Sequence, residues 1–189
     1  FAVNNHTILD AVKELPEQPL TLAVNLDEMK IYVTYQNGSY NFTILGEDEH
    51  PKAQSVSDNA TTITLHAEKL SDSLTRSLFA TAQDELRPVM NGVYFDLKED
   101  GLAIVATDGH KLVKNKNNAI RSDVKRSFVL AKKPASLLRN ILTKDATMVE
   151  IKFYDRNAEV HFPNGMLSCR LVEGNYPNYE SFIPKDNPN

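Results

Sequence analysis

The sequence predicts an α+β fold in which short helices alternate with antiparallel meanders. Amphipathic helical stretches are few, and strands with alternating apolar residues follow each of them. The hairpin signal at 37–38 recurs at 164–165, so two Asn-Gly pairs stand 127 positions apart. At that offset Val33 corresponds to Val160, and Tyr35 to Phe162. A repeat at a fixed period indicates a modular architecture, although outside the hairpins we expect the match to drift by a residue or two.

The first unit is predicted to be one helix followed by a meander. Thr7 is the expected N-cap of a helix over 7–15 whose apolar residues recur at helical spacing, and Pro16 ends it. Three strands are then expected, over 20–24, 30–35 and 40–45. The hydrophilic stretch 46–60 has the composition of an interdomain connection.

Two more units with the order strand, helix, meander are predicted. The second has a strand at 61–65, a helix carrying Leu70, Leu74 and Leu78, and strands at 93–97 and 102–107. The third has a strand at 127–131, a helix at 135–142 and strands at 148–153, 158–162 and 167–171. In each unit the helix should cover one face of a small antiparallel sheet.

Composition is that of a globular protein with a sizeable core. The chain has 189 residues, 41% of them hydrophobic, and no apolar run approaches the roughly 20 residues that span a bilayer. Its one cysteine, Cys169, lies in an alternating strand pattern, which suits a packed thiol in a reducing compartment.

Charge is unevenly distributed along the chain. The net charge is −4, yet residues 111–144 hold ten basic residues against the single acid Asp123. Such segregation predicts one basic surface that attracts phosphates. Lys114 and Lys116 could instead belong to a solvated lysine-rich loop around 115–118, whereas Lys132, Lys133 and Arg139 precede or lie on a helix whose other face is apolar.

Three motifs in register point to a known family. They are Leu-Arg-Pro-Val-Met-Asn-Gly at 86–92, Ala-Thr-Asp-Gly-His-Lys-Leu at 106–112, and the stretch 170–179 followed by Ile183-Pro184. In order and spacing they resemble the bacterial sliding clamp, the β subunit of the replicative DNA polymerase III. The similarity covers essentially the whole chain.

The resemblance implies a domain organisation. Clamp protomers have three similar domains, each built of two strand-helix-meander halves in a DNA-clamp fold. Residues 1–61 are then expected to be the second half of the first domain, 62–183 the complete second domain, and 184–189 the start of a link to a third domain that this sequence does not include.

It also implies a function. The expected protein is a non-catalytic processivity factor, a homodimeric ring that encircles double-stranded DNA without sequence specificity and tethers polymerase, clamp loader and repair proteins. It would be cytoplasmic and nucleoid-associated, with no cofactor or metal. Basic side chains on the helices of the inner wall would meet phosphates without reading bases. The expected DNA-facing residues are Lys69, Arg76, Arg87, Lys132, Lys133 and Arg139. The helix at 7–15 is net acidic and is not expected to contact DNA.

Matching the motifs also places one wall of a hydrophobic cleft that takes short partner peptides. Its residues are Met90, Thr107, Gly109, His110, Lys111, Leu112 and Pro184. Clamps commonly have arginine where Lys111 stands and leucine where Met90 stands. Lysine lacks the planar fork of arginine, and methionine keeps the apolar contact with more flexibility. Peptide preference is expected to shift accordingly.

Ring closure is expected through the strand at 39–45, with Tyr40 and Phe42 as apolar contacts to the third domain of the other protomer. Because that third domain is not part of this sequence, the chain by itself is not expected to form the ring.

Two alternatives come from the residues themselves. Asp108 and His110 could bind a metal or act as acid and base in a hydrolase, but further residues at ligand spacing are lacking in the sequence. A structural or interaction module without a nucleic-acid role would scatter its basic residues over the surface, whereas a clamp would gather them on one concave face.

Overall fold

The computed structural model describes residues 1–49, 59–83, 86–142 and 147–184. It confirms the α+β prediction, and the chain divides into two compact units, Phe1–Lys52 and Ala53–Asn189. The helices are α1 (Asn5–Lys13), α2 (Ala67–Leu78) and α3 (Lys132–Ile141). The strands are β1 (Ala2–Val3), β2 (Thr21–Asn25), β3 (Lys30–Tyr35), β4 (Gly38–Leu45), β5 (Thr61–His66), β6 (Gly92–Lys98), β7 (Gly101–Thr107), β8 (Leu112–Asn117), β9 (Arg126–Ala131), β10 (Met148–Tyr154), β11 (Asn157–Phe162) and β12 (Gly165–Arg170). The predicted connection at 46–60 and the predicted link at 184–189 lie largely outside the described residues.

The first unit is one antiparallel sheet in the order β1-β4-β3-β2, with α1 against β4. Its small core includes Ile31, Val33 and Ile44. The predicted N-cap Thr7 is wrong. Asn4 caps α1 instead, because its side-chain oxygen accepts the N–H groups of His6 (3.0 Å) and Thr7 (3.3 Å).

The second unit contains two four-stranded sheets, β12-β11-β10-β5 and β8-β7-β6-β9. These sheets do not follow the order of the predicted units. Strand β5 comes directly before α2 in the chain, but it pairs with β10 in the sheet formed by β10, β11 and β12. A bridge between Leu130 and Leu171 joins the two sheets. Helices α2 and α3 pack against each other over one shared core, which includes Leu70, Leu74 and Leu138. Cys169 packs against this core, and burial raises the pKa of its thiol to about 11.

Helix α3 begins at Lys132, three residues before the predicted start. Pro134 therefore lies in its first turn, where the missing N–H costs little. The alternative of a solvated lysine-rich loop around 115–118 is wrong for residues 115–117, which lie in β8. Asn115 lies in β8 and donates from Nδ2 to the Ser77 hydroxyl of α2 at 3.0 Å, so a polar side chain stands where the pattern required an apolar one.

The internal repeat keeps its offset outside the hairpins at the starts of its elements, where the expected drift is wrong, while the part of the repeat at 50–51 lies outside the described residues. The first residues of α1 and α3, of β3 and β11, and of β4 and β12 are all 127 positions apart. Both repeats place a ring over a glycine. A Cβ on Gly38 would lie 2.9 Å from the Tyr35 hydroxyl oxygen, and one on Gly165 would lie 3.0 Å from the Phe162 ring. Each of these glycines thus makes room for the aromatic residue paired with it.

Over the part of the chain that is described, the helices are all too short or too polar to cross a membrane.

Candidate functional site

The turn between β7 and β8 is held by its own side chains. Thr107 is buried and closes the turn, because its hydroxyl donates to the Lys111 carbonyl at 2.8 Å and accepts the Gly109 N–H at 3.1 Å. Gly109 has φ +93°, a left-handed backbone that favours glycine. The outer residues of the turn, from Gly109 to Lys111, are exposed. The turn is therefore a rigid, solvent-facing projection.

Asp108 fixes the same turn through its carboxylate. Oδ1 accepts the backbone N–H groups of His110 and Lys111, both at 3.0 Å, and Oδ2 pairs with the Lys111 ammonium at 2.5 Å. The Lys111 ammonium and these two N–H groups hold the pKa of Asp108 well below its usual range. Its carboxylate is thus committed to the turn as a permanent anion.

Met90 and Arg87 lie beside the turn. Met90 is buried at the end of a 3₁₀ turn over Pro88–Met90, and a Cβ on Gly109 would come 3.7 Å from its methyl carbon. The Arg87 guanidinium donates to the Asp108 carbonyl at 3.3 Å and is the atom group nearest that same Cβ position. Arg87, expected among the DNA-facing residues, is in contact with the β7–β8 turn.

An apolar cluster lies on the sheet face opposite the shared core. Ala103, Val105 and Tyr179 are buried there, and Leu112 and Ile183 pack against them. We call this group, together with Tyr94 and Tyr176, the outer-face cluster. Leu112 from the turn and Ile183, the neighbour of Pro184, therefore share one apolar floor. The exposed Pro184 follows directly.

The chain segment 172–184, here called the covering segment, supplies Tyr176, Tyr179 and Ile183 to this cluster. Tyr176 stacks on Tyr94 with ring centroids 4.4 Å apart and planes 4° apart. Its phenolic oxygen accepts the Thr107 N–H at 3.1 Å. Thr107 of the turn and Tyr176 of the covering segment are thereby joined directly.

Ion pairs fasten the covering segment further along. The Tyr179 hydroxyl donates to the buried Asp96 at 2.8 Å, and Lys98 bridges Asp96 (2.9 Å) and Glu180 (3.2 Å). Burial alone would lower the pKa of Lys98, but its hydrogen bonds to Asp96 and Glu180 raise it above the usual range. The Lys114 ammonium lies 5.2 Å from the centre of the Tyr179 ring, a cation–π contact.

The paired helices present a second candidate surface. Lys69 and Arg76 of α2 are exposed, but Arg76 lies 3.7 Å from Asp72 of the same helix. On α3, Lys133 is exposed and Lys132 and Arg139 are half-buried. The first turn of α3 contains basic but not acidic side chains. The positive charge of this surface comes mainly from α3.

The predicted single basic surface is only partly right. Lys114 and Lys116 lie on β8 and pair with Glu180 (3.7 Å) and Asp100 (2.6 Å). Because Lys114 contacts Tyr179, this lysine belongs to the sheet face opposite α2 and α3. Alternation along a strand places Lys116 on the same face. The basic stretch thus divides between two faces, and Lys144 lies outside the described residues.

The predicted ring-contact residues lie on β4. Tyr40 and Phe42 are half-buried, with ring centroids 6.3 Å apart, and they pair with Val33 and Ile31 of β3. On its other side β4 pairs with β1 only at Ile44 and Leu45. Within the described residues, the stretch 38–43 of β4 therefore has a neighbouring strand on one side alone.

Sequence reasoning identified the turn but not its supports. The roles of Arg87, Tyr94 and Tyr176 were not predicted. The hydrogen bond from Thr107 to Tyr176 joins residues 69 positions apart, so it leaves no periodic signal in the sequence. Tyr176 and Tyr179 both lie in the motif at 170–179, and that motif was the only sequence signal for them.

Comparisons with known proteins show which family this chain is similar to. Residues 64–178 match the family model described as "DNA polymerase III beta subunit, central domain". The beta sliding clamp of Borreliella burgdorferi is 38% identical over 118 residues, which cover 61% of this chain and 30% of that protein. The beta sliding clamp of Halalkalibacterium halodurans is 29% identical over 182 residues, 94% of this chain and 47% of that protein.

A solved structure extends the likeness to the fold of nearly the whole chain. The DNA polymerase sliding clamp of Bacillus subtilis superposes with a TM-score of 0.86 at 25% identity, covering 97% of this chain and 48% of that one. The chain thus spans about half the length of such relatives or less. The family match covers more than half of the 189 residues, so this chain belongs to the DNA polymerase III beta subunit family of sliding clamps.

Proposed function

We propose that this chain is part of a DNA polymerase processivity factor, a non-catalytic clamp that encircles duplex DNA and tethers polymerase, clamp loader and repair proteins. Its β7–β8 turn and the Ile183-Pro184 end of the covering segment would form one wall of a cleft for partner peptides. The observation that carries this proposal is the outer-face cluster, which packs Leu112 and Ile183 against the same three buried residues. The protein would be cytoplasmic, nucleoid-associated and, at full length, a homodimer.

The cleft residues have the chemistry of a peptide-binding half-site. Met90 and Leu112 offer apolar contacts, Gly109 lets the turn backbone approach Met90 and Arg87 closely, and exposed His110 and Lys111 provide a polar rim. Peptides with two or three apolar anchors gain most of their affinity in such sites. We assign Arg87 to this rim because it contacts the turn.

A peptide titration tests the cleft. A peptide of the Gln-Leu-x-Leu-Phe type, added to the ¹⁵N-labelled chain, should shift the amides of Met90, the turn 107–112 and Ile183. Leu112→Ala should weaken binding roughly ten-fold or more, because a buried anchor contact is lost. Val124→Ala is the matched control, since Val124 is an exposed apolar residue outside the outer-face cluster.

The full-length protein decides the case in which this chain shows no shifts at millimolar peptide. Shifts at the same residues in the full-length clamp would support the site and assign most of the affinity to the rest of the protein. Shifts elsewhere, or none, would overturn the cleft assignment.

We further propose that α2 and α3 face DNA through Lys69, Arg76, Lys132, Lys133 and Arg139. Flexible cations on paired helices suit sequence-independent contacts with phosphates, which weaken with salt and allow sliding. The contacts of Lys114 and Lys116 with acids on the opposite face leave α3 as the main contributor.

We propose that residues 1–61 are the second half of clamp domain I, residues 62–183 are domain II and residues 184–189 begin the link to domain III. Matched positions support the half-domain. Leu22 and Val24 of β2 are 60% and 41% exposed, whereas Val149 and Ile151, 127 positions later, are 0% and 1% exposed. Val149 and Ile151 lie in the shared core, and β5 pairs with the outer edge of β10. Among described residues β2 has only β3 beside it.

Tyr40 and Phe42 are proposed as ring contacts of the full-length protein, because they lie on the stretch of β4 that has one neighbouring strand. A third domain from another protomer could add a strand there. This chain alone would then remain outside a closed ring.

Asp108 is poorly suited to be the general base that the hydrolase alternative requires. Asp108 is engaged by three donors within its own turn, and its depressed pKa keeps it ionised and poorly basic at neutral pH. A structural module without a nucleic-acid role is tested by the salt dependence of DNA binding, described below.

A further inference from the structure

We propose that Tyr176 is a positioning residue of the cleft: through the Thr107 N–H, it sets the β7–β8 turn against the covering segment that ends at Ile183 and Pro184. This inference rests on the proposed peptide-binding function. It concerns a phenol that lies under the site and joins its two parts.

The Thr107 N–H needs an acceptor that the sheet does not supply. Pairing between β6 and β7 ends at Tyr94 and Val105, two residues before Thr107. Thr107 is only 6% exposed, so an unpaired N–H there would be costly. The Tyr176 oxygen, 3.1 Å away, accepts it in place of a strand carbonyl.

Thr107 in turn determines the shape of the projection. The same residue closes the turn through its hydroxyl, which contacts both Gly109 and Lys111. A displacement of the Thr107 backbone would therefore move the peptide-facing residues of the turn as a group. Leu112, its pairing partner on β8, would move with it.

Tyr176 is itself fixed. Its ring stacks on Tyr94 over the sheet, and the hydrogen bond from Tyr179 to Asp96 anchors the segment three residues later. Burial raises the pKa of Tyr176 to about 12, so the hydroxyl is neutral at physiological pH. A rigid phenol held on the covering segment thus fixes the separation between that segment and the turn.

The hydroxyl can be removed without removing the ring. Tyr176→Phe keeps the stack on Tyr94 and deletes only the acceptor for Thr107. Tyr94→Phe is the matched control, because it deletes the hydroxyl of the other ring of the same stack, whereas the Thr107 N–H donates to Tyr176. A purely structural role for the stacked pair would make the two variants behave alike.

The experiment compares three readouts in wild type and both variants: hydrogen exchange of the Thr107 amide, the Kd of the peptide, and the thermal unfolding midpoint. We expect Tyr176→Phe to speed exchange at Thr107 at least ten-fold while Val105 is unchanged, and to raise the Kd roughly three- to ten-fold. Tyr94→Phe should leave the Kd within about two-fold of wild type, even if it lowers the thermal unfolding midpoint as much as Tyr176→Phe does.

Three results separate the failures. If wild type does not bind the peptide here or in the full-length clamp, the proposed cleft is wrong. If wild type binds and Tyr176→Phe binds equally well, Tyr176 does not position the turn. Equal weakening by the two variants would also overturn the inference, because it would mean that the stack acts only through stability.

Discussion

The Tyr179 hydroxyl donates a hydrogen bond of 2.8 Å to Asp96, a carboxylate that is 2% exposed beneath the covering segment. The other oxygen of Asp96, Oδ1, is buried and has no hydrogen-bond partner among the described residues, so the acid depends on Tyr179 and on Lys98. Buried charge tolerates the loss of a donor poorly. The covering segment is therefore fastened by a contact that a single substitution can remove.

Tyr179→Phe should lower the free energy of unfolding of the second unit by about 1.5–3 kcal/mol, the usual contribution of a hydrogen bond to a charged group. Urea denaturation with an unchanged m-value would measure it. Tyr154→Phe, which alters a tyrosine that is 43% exposed, should have little effect. A loss below about 0.5 kcal/mol for Tyr179→Phe would mean that Lys98 alone sustains Asp96.

Stability should fall at alkaline pH because of the same segment. Burial raises the pKa of Tyr176 to about 12, and burial followed by the Asp96 hydrogen bond raises that of Tyr179 further. A phenol with a raised folded-state pKa contributes stability that is complete below the ordinary value of about 10 and is lost as pH rises through the folded value. Urea midpoints between pH 9 and 11.5 should decline, and less steeply in Tyr176→Phe. Parallel declines would contradict this assignment.

The Asp108 turn should resist acid. A depressed carboxyl pKa contributes stability that is complete above the ordinary value near 3.8 and is lost as pH falls through the folded value. Between pH 8 and pH 5 the His110 and Lys111 amides should therefore keep their protection from hydrogen exchange. Asp108→Asn retains an acceptor for both amides, whereas Asp108→Ala should speed their exchange several-fold or more. Fast exchange in Asp108→Asn would show that the Lys111 ion pair holds the turn instead.

Local patterns predicted most of the fold, because hairpins and amphipathic helices are encoded by neighbouring residues. The strand β8 was missed since its inner position, Asn115, is polar and is satisfied by Ser77 of α2, a contact that only the tertiary structure creates. The cap of α1 was misplaced because Asn4 and Thr7 are both good capping residues and only the backbone decides between them. For the site, motifs located the turn. The Tyr176 contact joins segments that are distant in the chain, and only the tertiary fold creates it.

DNA binding should depend on α3 far more than on the lysines of β8. Replacing Lys132, Lys133 and Arg139 by glutamine should reduce the slope of log affinity against log salt by about 2 to 3, if each meets one phosphate. Fluorescence anisotropy with a short duplex between 50 and 200 mM salt measures this slope. Lys114→Gln with Lys116→Gln is the control, since these lysines pair with acids on the opposite face. Equal effects of the two sets would favour a module whose cations are scattered, without a DNA-facing wall.

The two repeats provide a matched test of the half-domain proposal. Ile151→Ala should cost about 2–5 kcal/mol in the second unit, because Ile151 is 1% exposed in the shared core and its loss leaves a cavity there. Val24→Ala alters the equivalent position of β2, which is 41% exposed, and should change stability by less than about 0.5 kcal/mol in this chain.

In the full-length clamp the first half of domain I would cover β2, so the same Val24→Ala change should become destabilising there. Separate urea transitions, followed by amides of each unit, measure both effects. A Val24→Ala variant that stays neutral at full length would overturn the assignment of residues 1–61 to half a domain.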